Sequence, residues 1–94
     1  MTLLQIEHPI PDYNAWKLAF DKDPLNRKEA GVRRYATFHP TGDFKYIIIH
    51  LEFDTLKDAL ALLERLKELC GSVEGKIMMN PRTRILEMLD CISY

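Results

Sequence analysis

The sequence predicts an α+β fold in which one four-stranded antiparallel sheet carries two helices on one face. Three observations point to it. Residues 46–53, Tyr-Ile-Ile-Ile-His-Leu-Glu-Phe, place Ile47, Ile49, Leu51 and Phe53 on one strictly apolar side at period two. The residues that follow carry leucines at helical spacing. Further strand-like runs at 2–8, 32–39 and 83–89, with one more helical segment, give the order strand, helix, strand, strand, helix, strand.

Each element has a local reason. In the first strand, Thr2 to His8, Leu4 and Ile6 alternate with Leu3, Gln5 and Glu7, and Pro9 and Pro11 end the ladder because neither can donate to it. Asp12 is a suitable N-cap for a helix beginning at Tyr13. Tyr13, Trp16 and Phe20 give that helix an aromatic face, and Pro24 stops it. Leu25 to Ala30 is expected to resume as a short helix closed by Gly31. Val32 to His39 is the second strand, and Pro40-Thr-Gly-Asp43 turns it into the third. The β-branched run Ile47 to Ile49 favours strand over helix there. Asp54 or Thr55 caps the second helix, with Asp58 three residues after Thr55 in the manner of a capping box. Leu56, Leu60, Leu63, Leu66 and Leu69, with Ala59 and Cys70, form its expected core stripe, and Gly71 ends it. Ser72 to Met79 reads as irregular turns, helical around Lys76, and Asn80-Pro81 precedes a last strand over Thr83 to Leu89.

This order is the split βαβ, ferredoxin-like pattern, and right-handed crossovers place both helices on the same side of the sheet. With 94 residues, the chain is expected to be a single domain spanning 1–94. A net charge of −1 with interspersed signs offers no basic stripe for nucleic acid. No run is long and apolar enough to span a bilayer, and no charged-then-apolar leader is seen. Cys70 and Cys91 lack metal or redox spacing, so a reduced, cytoplasmic protein is expected.

Two helices cover one face of the sheet only. The other face is expected to hold Leu3, Gln5, Glu7, Tyr46, Ile48, His50 and Glu52, with Arg33, Tyr35, Thr37 and His39 contributed by the second strand. Large apolar groups among these charges suit a partner better than water, which predicts a homodimer through this face, with Glu7 or Glu52 pairing with Arg33 across it.

The chain resembles the dimeric α+β barrel superfamily, in particular its antibiotic-biosynthesis-monooxygenase-like small domains. The resemblance rests on His8 with Asp12-Tyr-Asn-Ala-Trp16 and Phe20-Asp21, on Gly31-Val-Arg-Arg-Tyr35, on Leu51-Glu-Phe-Asp54 and on Pro81-Arg-Thr-Arg84, and it covers nearly the whole chain. It implies that two ferredoxin-like protomers close their sheets into an α/β barrel. The superfamily includes cofactor-independent oxygenases, lactone isomerases and haem proteins. The haem-degrading members use an Asn–Trp–His set that Asn14, Trp16 and the histidines here do not reproduce in position, so that activity is not carried over.

The candidate ligand-binding residues are His8, Tyr13, Trp16 and His50. His8 lies beside the start of the aromatic helix, where an imidazole serves as a base or a hydrogen-bonding handle; the alternative is a strand-end histidine bonded to backbone. Tyr13 and Trp16 either wall a flat apolar ligand or are core. His50 is either a polar handle inside a barrel or a satisfied interface residue. No histidine pair has the spacing of a helical zinc site, and phosphate-loop and nucleophile-elbow motifs are absent. No metal and no cofactor are expected. Two functions remain open: a cofactor-independent monooxygenase or isomerase for a small apolar or aromatic compound, its pocket lying between helices and sheet near Trp16 and His8, and a non-catalytic dimeric module.

Overall fold

The structure, a computed structural model, describes residues 1–70 and 81–94. The expected turn-out at Gly71, the irregular segment Ser72 to Met79 and the stop at Asn80 lie outside the described residues. The elements are β1 (Thr2–Pro9), α1 (Tyr13–Asp21), β2 (Val32–Phe38), β3 (Tyr46–Phe53), α2 (Leu56–Cys70) and β4 (Arg82–Glu87), in the predicted βαββαβ order. They form one antiparallel sheet ordered β2-β3-β1-β4. The two central strands, β3 and β1, are the most buried, because each is paired on both edges and covered by the helices on one face.

Leu4 and Ile6 of β1 and Ile47, Ile49, Leu51 and Phe53 of β3 share one core with Trp16 of α1 and Ala59, Leu62 and Leu66 of α2. Both helices therefore cover the same face. Asp12 caps α1 by accepting from the Ala15 amide at 2.9 Å, and Thr55 Oγ1 accepts from the Asp58 amide at 3.2 Å at the start of α2. At the β2–β3 turn, the Asp43 amide donates to Pro40 O at 2.9 Å, with Gly42 at a positive φ of 86°.

Four expectations are corrected. Residues 25–30 form turns, not a helix. Asp23 and Asn26 hold φ of 54° and 51°, a left-handed conformation that Asp and Asn tolerate but that a continuing helix excludes. The strand boundaries also shift, with β2 ending at Phe38 instead of His39 and β4 at Glu87 instead of Leu89. The buried stripe of α2 is Ala59, Leu62 and Leu66, whereas Leu56 and Leu60 are about half exposed. The spacing 59, 62, 66 faces the sheet, and Leu56 and Leu60 fall on its flank.

The fourth correction concerns β2. Val32 pairs with Phe53 while Arg34 pairs with Glu52, so two residues of β2 oppose one of β3 in a β-bulge at Arg33. The bulge inverts the parity of the strand. Arg34, Ala36 and Phe38 lie on the open face opposite Glu52, His50 and Ile48, and Tyr35 and Thr37 lie on the helix side opposite Leu51 and Ile49.

Candidate functional site

β1 carries one of the predicted residues of the helix side, His8, and α1 carries the other two, Tyr13 and Trp16. His8 lies opposite Ile47, a buried residue of the core face, and is itself fully enclosed. Its Nδ1 is 2.9 Å from the Pro9 carbonyl. A carbonyl only accepts, so Nδ1 carries the hydrogen and Nε2 carries the lone pair. Nε2 is buried and has no hydrogen-bond partner among the described residues. Burial holds the imidazole pKa below its ordinary value, partly opposed by the bond to Pro9, so the ring is a neutral base near neutrality.

On α1, Tyr13 and Trp16 have ring centroids 5.9 Å apart, and Trp16 stacks on Phe20 at 4.8 Å. Trp16 is buried in the core, while Tyr13 stays substantially exposed. The row continues beyond α1. Phe20 meets Tyr35 edge to face at 5.1 Å, and the Arg27 guanidinium lies 3.8 Å from the Phe20 centroid and 5.0 Å from that of Tyr35. Periodicity on α1 revealed the first three rings. Tyr35 joins them only because the bulge turns it to the helix side.

His50 stands apart from these three residues, on the open face. It lies directly opposite Gln5, and its Nε2 is 2.9 Å from Gln5 Oε1. Gln5 Nε2 in turn donates to Glu7 Oε2 at 3.2 Å, and the Tyr46 hydroxyl donates to Glu7 Oε1 at 2.8 Å. An ionised Glu7 only accepts, so Gln5 presents its amino group to Glu7 and its oxygen to His50, which donates from Nε2. The bond to Glu7 raises the Tyr46 phenol pKa above its ordinary value, with desolvation adding to it. The polar partner of His50 within the chain is thus Gln5. Phe38 packs edge to face on the imidazole at 5.1 Å.

The acids expected to reach a partner's Arg33 are engaged within the chain. Glu52 pairs with Arg34, and Arg33 pairs with Asp54 at 2.8 Å. On β4, Arg82 and Arg84 lie opposite Glu7 and Gln5, are exposed and make no ion pair among the described residues. His39 is exposed, with Nδ1 2.9 Å from Pro40 O and its ring 4.6 Å from Phe44. Among the described residues no three His, Cys, Asp or Glu side chains come together to hold a metal ion, and no helix is long and apolar enough to cross a membrane.

No family model matches the sequence, and no curated protein matches it. Solved structures do match across the whole length. One, from Deinococcus radiodurans and provisionally named an antibiotic biosynthesis monooxygenase, superposes with a TM-score of 0.66 at 12% identity, covering 100% of this chain and 98% of its own. The chain shares their ferredoxin-like fold. A Nitrosomonas europaea protein with the same provisional name gives a TM-score of 0.61 at 14% identity, covering 96% of this chain and 100% of its own. A dimeric ferredoxin-like protein from an uncultured marine organism gives 0.64 at 12% identity, covering 99% and 98%. These likenesses bear out the fold that the framework residues suggested. At such identities they speak for the backbone alone, so a function has to be argued from the side chains.

Proposed function

We propose that this protein is a homodimer, joined through the open sheet face, that binds a small and mainly apolar compound on the helix side of each sheet. The observation that carries this reading is the enclosed His8 Nε2, a neutral acceptor with no partner among the described residues. A buried polar atom of this kind is uncommon, because leaving it unsatisfied costs about 1–3 kcal/mol. A ligand hydroxyl or enol donating to Nε2 removes that cost. The aromatic row on α1 suits an apolar ring system as its neighbour.

The chemistry that follows is proton abstraction. A neutral imidazole in a water-poor site can take a proton from a phenol or from carbon beside a carbonyl, the first step of an isomerisation or of a cofactor-independent oxygenation. Two of the structural neighbours carry the name of a monooxygenase, which agrees with this reading. The non-catalytic module is favoured by a different observation. Trp16 is 2% exposed and stacked on Phe20, as a core residue would be.

For the dimer, the open face presents Leu3, Ile48, Phe38 and Leu86 around the satisfied His50–Gln5–Glu7–Tyr46 network. A dimeric ferredoxin-like protein is among the structural neighbours. Native mass spectrometry on gently purified protein tests both parts. The expected result is a dimer that retains a small molecule, or that takes one up from a panel of phenols and enolisable ketones, with His8→Phe losing it. A monomer at micromolar concentration overturns the dimer. A dimer that binds nothing from the panel leaves the module reading in its place. Turnover of a bound compound that His8→Phe abolishes decides for the enzyme.

A further inference from the structure

A groove of about 390 Å³ opens beside the edge strand β2, away from His8 and from the open-face network. The residues that line it include Arg27, Lys28, Arg33 and Arg34 with Asp23 and Tyr35, and three of these cations are paired, Arg27 with Asp23, Arg33 with Asp54 and Arg34 with Glu52.

The groove lies at the bulge. Val32, Arg33, Arg34 and Tyr35 follow one another along this edge strand, and all four border the groove where the ladder is interrupted. Each guanidinium is also held in place. Arg33 is fixed by Asp54 at 2.8 Å, and Arg34 is fixed by Glu52. Arg27 is the most constrained. Its Cζ lies 3.8 Å from the Phe20 centroid, Nη1 donates to Phe20 O at 2.8 Å, and Nε lies 3.5 Å from Asp23 Oδ1. Of the five N–H donors of that guanidinium, those not turned to Phe20 and Asp23 have no acceptor among the described residues. Lys28 makes no ion pair among the described residues, so its charge is the one left uncompensated at the rim.

The geometry points to a binding site for a small planar anion, an aromatic or conjugated carboxylate. A pre-oriented guanidinium fork matches a carboxylate in two parallel hydrogen bonds and loses little freedom in doing so. Tyr35, 43% exposed, gives the flat part of such a ligand an aromatic neighbour. The volume suits one or two rings, since ligand sites begin near about 300 Å³. This site is independent of the one proposed at His8, and each stands or falls alone.

The test follows backbone amide shifts of the labelled full-length protein during titration with benzoate, with inorganic phosphate at matched ionic strength as the comparison anion. Saturable shifts over residues 27–35 with benzoate, and weaker ones with phosphate, are expected. Lys28→Glu, an exposed substitution that leaves the packing alone, weakens benzoate binding about tenfold or more. Arg27→Lys keeps the charge but loses the fork, and weakens it as well. His8→Phe leaves the affinity unchanged. Linear, equal shifts with both anions would show an ion atmosphere only and overturn the proposal. So would saturation by phosphate but not benzoate, wild-type affinity in Lys28→Glu, or the same shifts appearing with protein concentration alone, which would make the groove a contact between copies.

Discussion

Gln5 and His50 face each other across the β1–β3 ladder, and the 2.9 Å bond between them orients the network that runs on to Glu7 and Tyr46. Because Gln5 spends its oxygen on His50, its amino group is left for Glu7, and Glu7 then has one oxygen for Gln5 and one for Tyr46. Each member is placed by the register. One step of slippage would send Gln5 and Glu7 to the helix side and Leu4 and Ile6 to the open face.

Glu7→Gln should therefore be read out at Tyr46. The carboxylate accepts from the phenol and favours its protonated form, so the variant lowers the Tyr46 pKa toward about 10. Spectrophotometric titration of the phenols follows it. The raised pKa also contributes stability that is fully present below the ordinary phenol value and is lost as pH rises through the folded value. Wild type should lose stability in that alkaline window more steeply than Glu7→Gln.

His8 makes the opposite prediction at acid pH. Its folded pKa lies below the unfolded value of 6.5 because burial disfavours the charged ring. As pH falls below that value the unfolded chain takes up a proton that the folded chain refuses, and stability declines until the folded pKa is passed. Denaturant melts at descending pH should show this slope in wild type and a smaller one in His8→Phe. A compound bound to Nε2 should shield the protein from the same loss.

Leu62 and Leu60 separate the observed core stripe from the one expected by spacing. Leu62 is fully buried and Leu60 is 46% exposed. Leu62→Ala should cost about 2–5 kcal/mol of unfolding free energy. Leu60→Ala should stay within about 0.5 kcal/mol. Equal effects would mean that α2 packs through a different face.

Ile48→Lys tests the sheet-face dimer. Ile48 lies on the open face between Glu7 and Phe38 in register, and it is half-buried in the single chain. A lysine there should leave the monomer folded and shift sedimentation from dimer toward monomer, because a charge buried between two sheets without a partner is costly. Unchanged sedimentation at low protein concentration would place the interface elsewhere.

Much of this protein is legible along the chain. Period-two alternation assigned Leu4, Ile6, Ile47, Ile49, Leu51 and Phe53 to the core face and Gln5, Glu7, Tyr46 and His50 to the other. Asp12, and either Asp54 or Thr55, marked where the helices start, and Thr55 is the residue that caps the second. These are local properties, because side-chain direction and capping depend on neighbours a few residues away. The bulge at Arg33 is not local. It exists only in the pairing of β2 with β3, and it decides that Arg34 and Phe38 share a face with His50 while Tyr35 joins Phe20 and Arg27. The partners within the network are likewise a matter of register. The enclosure of His8, with one nitrogen satisfied and the other bare, arises from segments far apart in sequence, since burial is a property of what packs over a side chain and alternation along its own strand says only which way it points.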